Sequence, residues 1–89
     1  KCDYNLGLAQ LLKGDYAAAA NTLKCAKETA QTDYLLAVVG ARQNNKAMML
    51  ENLTKAVKAD ASMAAKASRD REFIKFFDEP DFNALVSAK

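Results

Sequence analysis

Apolar residues recur at three- and four-residue spacing along most of the chain, interrupted by short polar breaks. Tyr4, Leu8, Leu11 and Leu12 fall on one helical face, which Leu6 and Ala9 broaden. A helix apolar over so wide an arc is expected to be covered on more than one side. Gly14–Asp15 breaks the pattern, and Asp15 is placed to cap the next helix. That second helix carries Tyr16, Ala19, Ala20, Leu23 and Ala26 and is expected to end near Glu28–Thr29. Residues 1–29 thus read as an αα-hairpin with a very short turn.

The arrangement then recurs over residues 32–60. Thr32 or Asp33 can cap a third helix bearing Tyr34, Leu35, Val38, Val39 and Ala41. Asn44–Asn45 supplies the break, because Asn tolerates the left-handed backbone that a tight turn needs. The fourth helix carries Met49, Leu50, Leu53, Ala56 and Val57, and Asp60–Ala61–Ser62 ends it. The segment 62–89 differs in pattern. Met63 to Ser68 reads as a short Ala-rich helix. Asp70 with Phe73, Ile74, Phe76 and Phe77 reads as a capped apolar helix, or as a continuation of the segment before it. Asp78–Glu79–Pro80 is a helix-start signal, since Pro is favoured at the first helical position, and Phe82, Leu85 and Val86 give the last helix one apolar face. The four phenylalanines of this tail read as core.

Composition narrows the picture further. With 51% apolar and 27% charged residues the chain falls among globular proteins, which argues against disorder. Alanine dominates the apolar set, favouring closely packed helices. The 13 basic and 11 acidic residues nearly cancel, so nucleic acid and anionic membrane are not the expected partners. No run of 18 apolar residues suggests a membrane span. The chain opens without Met and with an apolar helical pattern already running, which reads as a segment of a longer protein. There is no His, no phosphate-binding Gly-rich loop and no nucleophile motif, so no catalysis and no cofactor are expected. Cys2 and Cys25 are too few for a disulfide framework and wrongly spaced for zinc. They stand at mirror positions about Gly14 and could face each other, but the expectation is two buried thiols acting as small hydrophobes. The tail carboxylates Asp70, Glu72, Asp78, Glu79 and Asp81 read as caps and dipole complements, and Lys66, Arg69, Arg71 and Lys75 as a solvated basic face.

Leu6–Gly7, Gly14, Tyr16, Ala19, Leu23 and Ala26 stand at the spacings of a known repeat. The first hairpin resembles a tetratricopeptide repeat (TPR). That pattern has Leu–Gly on helix A, a Gly–x–Tyr turn, then small, large and small residues on helix B. In the second hairpin Leu36–Ala37, Asn44, Leu53 and Ala56 fall in the same register, with Lys46 in place of the turn Tyr and Met49 in place of the small helix-B residue. The tail is similar to segments that close TPR arrays in bacterial proteins. The resemblance implies an all-α fold, an α-solenoid of two TPR-like hairpins with C-terminal capping helices. Gly7 and Ala19 would let the two helices of the first hairpin approach closely.

It also implies a concave groove lined by helix-A residues. By register these are Tyr4, Asn5 and Leu8 in the first unit and Tyr34, Val38 and Arg42 in the second, with Leu12, Leu35 and Ala41 beside them. The expected function is a non-catalytic scaffold binding a protein or peptide segment there, with apolar contacts and Asn5 able to hydrogen-bond a peptide backbone. The alternative is a purely structural terminal cap of a longer solenoid whose binding surface lies upstream, these residues then packing on a neighbouring repeat or on the tail. No nucleic acid and no membrane insertion are expected. Self-association of the isolated segment through its apolar N-terminal helix is. The resemblance to bacterial envelope proteins points to the periplasm or cell envelope, with the cytoplasm as the alternative.

Overall fold

The computed structural model describes residues 2–87. It is helical throughout, with no strand among the described residues. Its elements are α1 (Tyr4–Leu12), α2 (Tyr16–Cys25), α3 (Ala30–Arg42), α4 (Lys46–Ala59), α5 (Ser62–Ser68), a 3-10 helix (Arg71–Phe76) and α6 (Pro80–Val86).

Two antiparallel hairpins, α1–α2 and α3–α4, share one turn geometry. Gly14 N–H donates to Leu11 O at 2.9 Å and Asp15 N–H to Gln10 O at 2.9 Å. Thirty residues on, Asn44 N–H donates to Ala41 O at 3.1 Å and Asn45 N–H to Gly40 O at 2.8 Å. Each turn needs one left-handed residue, supplied by Gly14 (φ 85°) and Asn44 (φ 59°), residue types that tolerate it. Asp15 occupies the cap position of α2 without a side-chain hydrogen bond, whereas Asn45 caps α4 by accepting from Met48 N–H.

Both hairpins depend on a glycine at the crossing of their helices. A Cβ on Gly7 would lie 2.5 Å from Leu23 Cδ2, so the two helices of the first hairpin approach closely here. In the second hairpin the close approach is at Gly40, where a Cβ would lie 2.8 Å from the backbone nitrogen of Met49. Met49 can therefore stand at the position of Ala19 because its partner helix has no side chain opposite it.

Helix α3 is the centre of the molecule. Every residue from Thr32 to Ala41 is buried, and the helix packs against α1, α2, α4 and the 3-10 helix. It begins earlier than Thr32 or Asp33 as cap would allow. Thr29 is the N-cap, its Oγ1 accepting from Thr32 N–H at 3.0 Å. The second hairpin thus runs from residue 30, and α2 stops at Cys25 because Ala26 turns extended.

The tail forms three short elements. α5 lies against α4 and α6, and the 3-10 helix lies on α3. The stretch read as an apolar α-helix is instead a 3-10 helix kinked at Phe73 (φ −106°, ψ 15°). Its tighter winding sends Ile74 to solvent while Phe73 and Phe76 point inward. Pro80 opens α6 as its position predicts. Phe73 and Phe82 are fully buried, and Phe77 stacks beside Phe82 with ring centres 5.9 Å apart.

Candidate functional site

The six groove residues anticipated from the sequence do not form one open surface. Three lie on α1 and three on α3. On α1, Tyr4 is 37% exposed, Asn5 is exposed and Leu8 is half-buried. Beside them Leu6 and Leu12 also reach solvent, Leu12 at 68%. On α3, Tyr34 is 5% exposed and Val38 is buried with it. The chain's own tail covers Tyr34, so the reading of Tyr34 and Val38 as open groove positions is corrected here.

The cover is specific in its contacts. The Tyr34 hydroxyl donates to Asp70 Oδ2 at 2.6 Å, and the Phe73 ring meets the Tyr34 ring edge-on with centres 5.6 Å apart. Such aromatic pairs add to simple area burial. Lys66 Nζ stands 4.7 Å from the same ring on its face. Arg42 makes a two-pronged bond to Glu72, Nε to Oε1 at 2.9 Å and Nη2 to Oε2 at 2.7 Å. Lys46 Nζ bridges Glu79 at 2.6 Å and Asp81 at 3.1 Å. Lys75 donates to Asn44 Oδ1.

Ionisation follows from these contacts. Burial, then the hydrogen bond to Asp70 and the charges of Asp70 and Glu72, hold the Tyr34 phenol well above its ordinary range, so it stays a donor. The hydrogen bond to Glu72 strengthens the protonated form of Arg42, against a smaller opposing effect of burial. Hydrogen bonds to Glu79 and then Asp81 raise Lys46, and the Lys46 contact lowers Asp81 in return.

The sequence assigns the tail acids to capping and helix-dipole complement. Asp70 does cap, its Oδ1 accepting from Glu72 N–H at 3.0 Å, but its other oxygen serves Tyr34. Glu72 pairs with Arg42 of α3, and Glu79 and Asp81 pair with Lys46 at the start of α4. The legible signal was charge: Arg42 and Lys46 flank the second turn, and the acids alternate with phenylalanine in the tail. Of the basic stretch, Lys66 and Lys75 contact the second hairpin, while Arg69 and Arg71 are exposed.

A disulfide joins Cys2 and Cys25 across the open end of the first hairpin, with Cα atoms 5.6 Å apart. This overturns the reading of two buried thiols. Cys25 is exposed and Cys2 half-buried, and the short turn at Gly14 sets them level. Among the described residues no cluster of three or more His, Cys, Asp or Glu side chains could hold a metal ion, and no helix is long and apolar enough to cross a membrane.

No family model, curated protein or solved structure matches the chain.

Proposed function

We propose that the chain is a non-catalytic helical end-piece of the TPR type, closed on one side by its own tail and engaging another helical hairpin through α1. The observation that carries this reading is the asymmetry of the helix-A face. On α3, Tyr34 and Arg42 are committed to Asp70 and Glu72 of the same chain, so that half has an internal occupant. On α1, the apolar Tyr4, Leu6 and Leu12 stay exposed, and Asn5 beside them carries free hydrogen-bonding capacity. A solenoid unit buries its faces only by stacking on neighbours, and an end unit needs a cap on its outer side. The tail meets the second requirement, and a preceding hairpin on α1 would meet the first. Of the two functions weighed from the sequence, this favours the terminal cap. The scaffold reading keeps only Tyr4, Asn5 and Leu8 as contact residues. The disulfide supports residence in an oxidising compartment such as the periplasm.

Photo-crosslinking in the source cell tests the reading. A photoreactive amino acid at Leu12 should give one discrete crosslinked product, and the same group at exposed Ile74 should give none. Crosslinks at Ile74 with none at Leu12 would contradict it.

A further inference from the structure

A second recess lies away from the helix-A face, in the angle between α2, the start of α3 and α4. It is a cleft of about 500 Å³, with Leu23, Leu36 and Met48 on its apolar wall. Asp33 opens into it, and also into an adjoining recess edged by Lys58. Asp33 is only 4% exposed; no N–H or hydroxyl donor among the described residues bonds its carboxylate, whose oxygens are not sealed from the solvent of the cleft. Another acid, Glu28, stands within hydrogen-bond reach, and burial first, then Glu28, push the Asp33 carboxyl up to about 6. Lys55 acts on Asp33 through its charge in the opposite sense, without an ion pair within 4.0 Å. Asn52, also buried, faces the same cleft. Its Nδ2 donates to Met48 O at 2.9 Å, and its side-chain oxygen has no donor among the described residues.

The recess therefore presents two acceptors, on Asp33 and Asn52, that open to the solvent of the cleft rather than to a protein donor. A buried carboxylate is stable when donors and an opposite charge reach it. We propose that this cleft binds a protonated alkylamine, whose ammonium group donates to Asp33 and to the side-chain oxygen of Asn52 while its methylenes pack on Leu23, Leu36 and Met48. An ammonium brings three donors in free rotation, matching acceptors carried on separate helices. Glu28 and Glu51 add negative charge to the lining, which also carries Lys24 and Lys55. The alkylamine is either a free aliphatic amine or a lysine side chain of a partner protein, and the two share this chemistry.

The test is a ¹⁵N-resolved NMR titration of the intact, disulfide-bonded chain at neutral pH. The probes are 1,5-diaminopentane, N-acetyl-lysine methylamide and, as an ammonium without N–H donors, tetramethylammonium. Saturable shifts centred on Glu28, Asp33 and Asn52 are expected for the first probe, with tetramethylammonium inert. Asp33→Asn should weaken binding by about tenfold or more, because a hydrogen bond to a charged group is lost with its charge. Glu28→Gln, at an exposed position, should weaken it by a smaller factor without affecting the fold. Binding of the lysine analogue as well as the diamine assigns the cleft to a protein side chain, and binding of the diamine alone to a free amine. Equal affinity in wild type and Asp33→Asn, or the absence of saturable shifts, overturns the proposal. So does binding that appears only in Lys55→Gln, which would make Lys55 the occupant of the cleft.

Discussion

The two hairpins share a turn and differ in what covers them. Gly14 and Asn44 play one part, and the flanking hydrogen bonds repeat at the same offset. Yet α1 presents exposed apolar side chains, while α3 is buried along ten consecutive residues. The first hairpin is held by a covalent link between its ends. The second is held by a tail that returns over it with a phenylalanine core and a set of ion pairs. Local turn chemistry therefore builds the hairpin, and the covering element decides whether its helix-A face is a surface or an interior.

The sharpest way to break this comparison is to remove the tail's anchor. Phe73→Ala empties a fully buried position against Tyr34 and Phe82, and should cost about 3–5 kcal/mol in a urea melt. Leu12→Ala, on the open face, should change stability by no more than about 0.5 kcal/mol. Reduction of Cys2–Cys25 comes next. Its residues lie 23 apart in sequence, and opening a loop of that size should cost about 3–4 kcal/mol. Hydrogen exchange should place most of the new opening in α1 and α2, with α3 still protected.

A smaller effect separates the two helix crossings. Gly40→Ala meets the backbone of Met49, whereas Gly7→Ala meets Cδ2 and Cγ of the buried Leu23 side chain, which has rotamer freedom that a helix backbone lacks. Gly40→Ala should cost about 1–3 kcal/mol, and Gly7→Ala less, in thermal melts of the two variants. Smallest is a pH effect in the cleft beside α3. The Asp33 carboxyl is raised from 3.8 to about 6, by burial first and then by Glu28. Between those values the folded chain holds a proton that the unfolded chain has released, so this group's contribution to stability falls as pH rises through the window. Asp33→Asn has no such proton to lose. It should melt above wild type at pH 7, with the gap closing as pH falls towards 4.

Much of this architecture was legible in the chain. The two turns could be read because each needs a left-handed residue and Gly14 and Asn44 are the residue types that take that role. Gly7 was legible as a close approach from its register with Leu6 and Ala19. Gly40 was not. The repeat register put the small residue at Ala37, and only the packed structure brings Gly40 onto Met49. The start of α3 was misplaced because Thr29, Thr32 and Asp33 are all competent caps. Burial of Asp33 beside Glu28 and within the field of Lys55 is a tertiary outcome that no local preference encodes. The helix-A residues were named from the sequence, but their fates diverged with the return path of the tail. That path depends on contacts spanning 36 residues in the Tyr34–Asp70 pair and 30 in the Arg42–Glu72 pair, beyond any local pattern. The acid–aromatic alternation in the tail and the cations around the second turn were the available sign of it.

The central claim, that the tail fills the α3 half of the helix-A face and leaves the α1 half open, is tested most directly by hydroxyl-radical footprinting of the intact chain with mass spectrometry. The account predicts rapid modification of Tyr4 and Leu12 and strong protection of Tyr34 and Phe73. Modification of Tyr34 at a rate comparable to Tyr4 would contradict it.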